Sequence, residues 1–120
     1  MTDRISLAQK FATITDHWNP RIAVELNGQH VKFVKFQGAF DWHSHDNEDE
    51  LFFVHAGAFT MEFRDKSVEL RAGDMLVVPR RVEHRPVAEH ECEVVLFEPA
   101  GTLNTGDAIS ERTRSVLEHI

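Results

Sequence analysis

HSHDNEDELFFVHAG, residues 43–57, is the stretch on which the reading of this chain turns. His43 and His45 are two apart, so in an extended segment they share a face while Ser44 points the other way. Glu50 follows five residues later and opens the strand-like run Leu51 to His55. If that run folds back beside the first segment, Glu50 reaches the same point as the two imidazoles. Imidazoles and a carboxylate on one face form a transition-metal ligand set. His84, a short way after Pro79, is a fourth candidate ligand.

Around this stretch the chain alternates with period two. Ile22, Val24 and Leu26 alternate with Arg21, Ala23 and Glu25, and Asn27-Gly28 is a strong hairpin signal. A return strand is expected over His30–Gln37, broken by Gly38, and a short one over Phe40–His45. Further strands are expected over Glu50–His55, Ala58–Arg64, Ser67–Arg71, Met75–Val78, His84–Ala88 and Cys92–Glu98, the last two joined by a polar turn at Glu89–Glu91. About nine short strands with frequent turns and no intervening helix predict an antiparallel sandwich or barrel. Residues 2–12 carry Ile5, Ala8, Phe11 and Ala12 at helical spacing, with Thr2 or Asp3 as cap. Ser110–Ile120 is read as a C-terminal helix capped by Ser110.

The 120 residues suit one domain, 1–120, with a strand-rich core at about 21–98 and terminal extensions 1–20 and 99–120. A net charge of −7 argues against nucleic acid or an anionic membrane as partner, since both require a basic face. Cys92 is the single cysteine, so no intrachain disulfide forms, and this usage fits a reducing compartment. No run is long and apolar enough for a signal peptide or a membrane span, so a cytoplasmic location is expected. Leu51–Val54, Met75–Val78 and Val94–Phe97 are apolar on both faces, which predicts a covering partner, a homodimer.

The chain resembles the cupin superfamily, in particular the small single-domain, type-2 cupins with a mannose-6-phosphate-isomerase-like barrel. The first motif reads Gly38, His43, His45, four residues, Glu50, six residues, Gly57, with a leading spacer of four where five is usual. The second reads Gly73, five residues, Pro79, Arg81 where Gly is usual, His84, and Ala88 where Asn is usual. The resemblance implies an all-β double-stranded β-helix (jelly-roll) barrel. It also implies one divalent transition metal (Fe, Mn, Ni, Co or Zn) held by His43, His45, Glu50 and His84. Three imidazoles and one carboxylate leave about two positions of an octahedral metal open. Calcium and magnesium prefer oxygen shells and do not suit this set. Arg81 replaces a residue free to take positive φ, so either the turn differs or Arg81 carries strain. Ala88 makes that part of the interior more apolar.

Arg81 and Arg85, with Arg80, bracket the candidate site and are candidate contacts for an anionic substrate group. His55 falls on the opposite strand face from Glu50 and is read as a surface or interface histidine. His17, His30, His90 and His119 are read as solvent-facing. Two functions remain open. The first is a metal-dependent enzyme of isomerase, lyase or dioxygenase type, acting on a small oxygenated substrate such as a sugar derivative or keto acid. The second is a non-catalytic module that binds or senses a small ligand. No catalytic base is assignable, because Glu50 is committed to the metal.

Overall fold

Asn27 and Gly28 take left-handed φ angles of 52° and 76°, the backbone a two-residue hairpin needs. They join β1 (Arg21–Leu26) to β2 (Gln29–Ala39). The chain continues as β3 (Glu50–Ala56), β4 (Ala58–Phe63), β5 (Ser67–Arg71), β6 (Met75–Val78) and β7 (His84–Pro99), preceded by one helix, α1 (Leu7–Phe11). The computed structural model describes residues 2–120.

Every paired strand is antiparallel, in the order β1-β2-β7-β3-β6, with β4 pairing both β5 and β7. Strand β7 closes the barrel. Its first part, His84–Val87, pairs with β4, and its second, Glu93–Phe97, pairs with β3. Nearly its whole length runs beside β2. The result is the jelly-roll barrel that the sequence implies. Among the described residues it has seven strands rather than about nine. The expected turn at Glu89–Glu91 is an exposed part of the continuous strand β7, where its pairing with β2 shifts register between Phe36 and Gly38. The expected strand at Phe40–His45 shrinks to a single bridge, His43 with His84.

The barrel interior is filled by alternate residues: Val34 and Phe36 on β2, Phe52 and Val54 on β3, Val94 and Leu96 on β7. A second apolar cluster lies outside, where α1 covers the sheet. Ser6 accepts the Gln9 amide as N-cap, so the helix starts later than residues 2–3. Five residues cannot sustain a helix alone. It is held by Phe11, fully buried and stacked on Phe33 at 5.0 Å. Burying one such ring is worth about 1.5–3 kcal/mol.

The C-terminal helix does not form. Residues 110–120 make turns and end in a bridge between His119 and Ile22. The capping signal was real, since Ser110 Oγ accepts the Arg112 amide, but Ser110 also donates to Asp41 at 2.6 Å. No apolar stripe follows to bury: Val116 is 87% exposed. The tail is instead tied down by backbone bonds to Ile22.

On the outer face, register aligns two apolar rungs across β2, β7, β3 and β6. One runs Phe33, Val95, Phe53, Met75, and the other Val31, Phe97, Leu51, Val77. Helix α1 covers the Phe33 end. Met75 and Val77 are 67% and 54% exposed.

Candidate metal centre

Two segments that carry the histidines are stitched together by backbone. His43 and His84 exchange amide bonds at 3.1 and 2.9 Å, and the Arg81 amide donates to the His45 carbonyl at 2.7 Å. Asp49, from the acidic loop, accepts the Arg80 amide at 2.8 Å and pairs with its guanidinium. Arg81 holds φ at 69°, so of the two alternatives the strained one is realised: a non-glycine residue sits in the left-handed region. Glu50 opens β3 and His84 opens β7, so both point inward from strand ends.

The four side chains converge. His43, His45, Glu50 and His84 are all buried, and one potential ligand atom from each lies within 4.8 Å of the others. Glu50 Oε1 is 3.2 Å from His45 Nε2 and 3.6 Å from His84 Nε2. His43 Nδ1–H donates to the Asp41 carbonyl at 2.8 Å, and His84 Nδ1–H to the Val82 carbonyl at 2.9 Å. Those bonds fix the tautomer and leave each Nε2 lone pair facing inward. Within the cluster, His45 Nε2, His84 Nε2 and Glu50 Oε1 are buried with no hydrogen-bond partner.

The electrostatics set these groups apart. Burial and the neighbouring His84 push His43 down to about 4. Burial alone would also lower His45, but the nearby Glu50 carboxylate outweighs it and raises His45. Burial would raise Glu50, yet His45, His84 and Glu98 together hold it well below the usual carboxylate range. A neutral His43 and an ionised Glu50 are protonation states that metal binding requires, and the proton that Glu50 favours on His45 is the one a bound cation would displace. Orphaned buried polar atoms that face one another are otherwise costly. The set can therefore hold a divalent metal ion, through three nitrogens and one carboxylate oxygen.

A second charged pair was not foreseen. Lys32 Nζ donates to Glu98 Oε2 at 2.8 Å and to the Thr102 carbonyl at 3.3 Å, with Lys32 2% and Glu98 1% exposed. Burial and the adjacent Glu50 charge push the Glu98 carboxyl well up, against the pull of Lys32. Both residues line the same narrow cavity as His43 and Glu50, walled by Trp18, Phe36, Phe40, Phe52 and Leu96. A signal existed in the alternation. Lys32 has the parity of inward-facing Val34 and Phe36, and Glu98 that of Val94 and Leu96.

The segment after β7 straps over the histidines. Asp107 donates its amide to the Ser44 carbonyl and accepts the Ser44 amide, at 2.9 and 2.8 Å. Gly106 lies so close that a Cβ would collide with the Ser44 carbonyl, and its φ of +56° also favours glycine.

The two arginines read as substrate contacts stand outside the cavity. Arg85 has the opposite strand parity to His84 and Pro86 and pairs with Glu62 at 2.7 Å. Arg81 is exposed, and neither residue lines the cavity. His55 is half-buried, bonded to Glu93 at 2.9 Å and stacked on Phe11 at 5.3 Å. His30 is largely buried rather than solvent-facing, and its Nδ1 has no partner.

Among known proteins, a family model described as the cupin domain matches residues 29–98. A cupin-2 domain containing protein from Shewanella frigidimarina is 42% identical with a TM-score of 0.78, over 79% of this chain and 93% of that one. A protein from Neisseria meningitidis is 36% identical with a TM-score of 0.75, over 82% and 100%. KdgF from Halomonas sp. is 27% identical with a TM-score of 0.59, over 67% and 78%. Protein YdbB of Bacillus subtilis is 40% identical over 62 residues, so the match spans 55% of that curated relative and 51% of this chain.

Proposed function

The chain belongs to the cupin domain family, and from that premise we propose that it is a small metal-dependent enzyme acting on a small oxygenated substrate. His43, His45, Glu50 and His84 are assigned as the ligands of one divalent transition metal: Fe, Mn, Ni, Co or Zn. The observation that carries the assignment is the trio of buried, unpartnered atoms, His45 Nε2, His84 Nε2 and Glu50 Oε1, gathered at one point. When bound there, such a metal supplies Lewis-acid or O₂-binding chemistry. The chain's own part is orientation and exclusion of water. Asp41 and Val82 carbonyls aim two imidazoles, and the aromatic walls keep the approach apolar. Isomerase, lyase or dioxygenase turnover of a sugar derivative or keto acid is the reaction class proposed.

The test is a screen of O₂ uptake and of sugar-derivative and keto-acid turnover by metal-loaded wild type and Glu50→Gln. Turnover lost in Glu50→Gln supports the proposal. Turnover that survives it contradicts the metal mechanism. Tight binding of a small molecule with no turnover across the panel would favour the sensing role instead.

A homodimer is proposed on separate grounds. Strand β6 is a sheet edge pairing only with β3 among the described strands, and its Met75 and Val77 continue the apolar rungs into solvent. A second copy about a twofold axis would cover both the edge and the rungs. Sedimentation should show a dimer that Val77→Lys converts to monomer, and a monomeric wild type would contradict this.

A further inference from the structure

We propose that Glu98, held in place by Lys32, is the side chain that receives the second oxygen of a compact, neutral, two-oxygen ligand such as a hydroxy-carbonyl compound or vicinal diol. This rests on the metal reading above, which places the ligand's first oxygen at the metal. Four observations carry it. Glu98 Oε1 is buried without a partner while Oε2 is held by Lys32. The pair shares a cavity with His43 and Glu50. The β3–β7 register, with Leu51 opposite Phe97, brings Glu50 beside Glu98 when continued by one residue. The cavity volume is about 30 Å³, room for two or three waters at roughly 10–15 Å³ each.

The chemistry follows from what lines the space. Glu98 stands beside Glu50, so a ligand with one oxygen at the metal meets Glu98 only by carrying a second oxygen a short distance away. A hydroxyl donating to Oε1 supplies the bond that this buried oxygen lacks. Lys32 is the one Lys or Arg lining the cavity among the described residues, and it is already engaged by Glu98 and Thr102. No free cation therefore remains at this end to receive a phosphate or a carboxylate, which narrows the proposed substrates to neutral sugar derivatives and sets keto acids aside. A site built to bond a hydroxyl rejects the analogue without it, because the buried acceptor is then left unpaired.

The experiment uses cobalt(II)-loaded protein and reads the visible cobalt bands during titration with hydroxyacetone and with acetone, which lacks the hydroxyl. Wild type should bind hydroxyacetone about tenfold more tightly than acetone, the size of one well-made buried hydrogen bond. In Lys32→Met/Glu98→Met, where apolar groups of similar volume replace the pair, cobalt should be retained and the preference should fall to about onefold. Glu98→Gln, close in shape and still able to bond a hydroxyl, should keep most of the preference and guards against a double variant that fails to fold. A wild type that takes up cobalt but shows no preference overturns this inference alone, as does a double variant that keeps it. A wild type that takes up no cobalt overturns the metal reading and this inference with it.

Discussion

The histidine cluster and the Lys32–Glu98 pair share one cavity, yet they satisfy their charges differently. Lys32 donates to Glu98 and to the Thr102 carbonyl, leaving one Glu98 oxygen over. The cluster has more unmet atoms: three of its inward-facing atoms have no partner, and among the described residues no Lys or Arg side chain sits with them. A lysine hydrogen-bonded to a buried carboxyl offsets part of the pair's own desolvation. A set of three imidazoles around a carboxylate instead gathers acceptors that only a cation or bound protons can reconcile. The pair reads as part of the fold with one atom to spare, and the cluster as a receptor for something brought from outside.

The largest expected effect breaks the self-contained end. Lys32→Met alone leaves Glu98 buried and unpaired and should cost about 3–5 kcal/mol in urea unfolding, whereas Lys32→Met/Glu98→Met should cost about 1 kcal/mol or less. Equal losses in the two variants would mean the residues are not coupled.

The histidine end is tested by pH on metal-free protein. Folded His43 titrates at about 4, below the 6.5 of the unfolded chain, so the unfolded state takes up the proton first as pH falls. Stability is therefore full above pH 6.5 and declines toward pH 4, by about 3 kcal/mol from this group at roughly 1.4 kcal/mol per pH unit. His45, raised in the fold, works oppositely, and its contribution fades as pH rises through its folded value. His43→Gln should flatten the acid slope, and an unchanged slope would place the proton elsewhere.

A smaller effect is expected where the strap meets the histidines. Gly106→Ala forces a Cβ against the Ser44 carbonyl and should cost about 1–3 kcal/mol, with faster hydrogen exchange at the Ser44 and Asp107 amides. Unchanged exchange would show that the strap is not fastened there. The smallest effect is a gain. Arg81→Gly relieves a φ of 69° and should add about 1 kcal/mol or less, because glycine also gains freedom in the unfolded chain. A loss of stability would mean that the arginine side chain contributes more than its backbone costs.

The two ends of the cavity were unequally legible in the sequence. The cluster was visible because strand parity ties His43 to His45 and Glu50 begins the next strand, all within eight residues. His84 was found through the second motif. Lys32 and Glu98 are 66 positions apart, and a charged residue within an apolar strand ordinarily points to solvent. Only their shared parity with buried neighbours marked them. The strap at residues 101–109 was opaque for a different reason: side-chain and backbone bonds from Asp107 to Ser44 span 63 positions, and no local pattern encodes them. The same holds for Ser110, whose local cap was legible and whose bond to Asp41 was not.

Metal content tests the central claim most directly. Protein prepared without an affinity tag that binds metal, exposed to excess Fe, Mn, Ni, Co or Zn and then desalted, should retain about one equivalent of one of them. His84→Ala and Glu50→Gln should each lower affinity by more than about a hundredfold, beyond the 10–100-fold typical of residues that only support ligands. His55→Ala, outside the cluster, should leave affinity unchanged. Wild type retaining less than about a tenth of an equivalent of every metal would contradict the account, as would His55→Ala weakening binding more than His84→Ala.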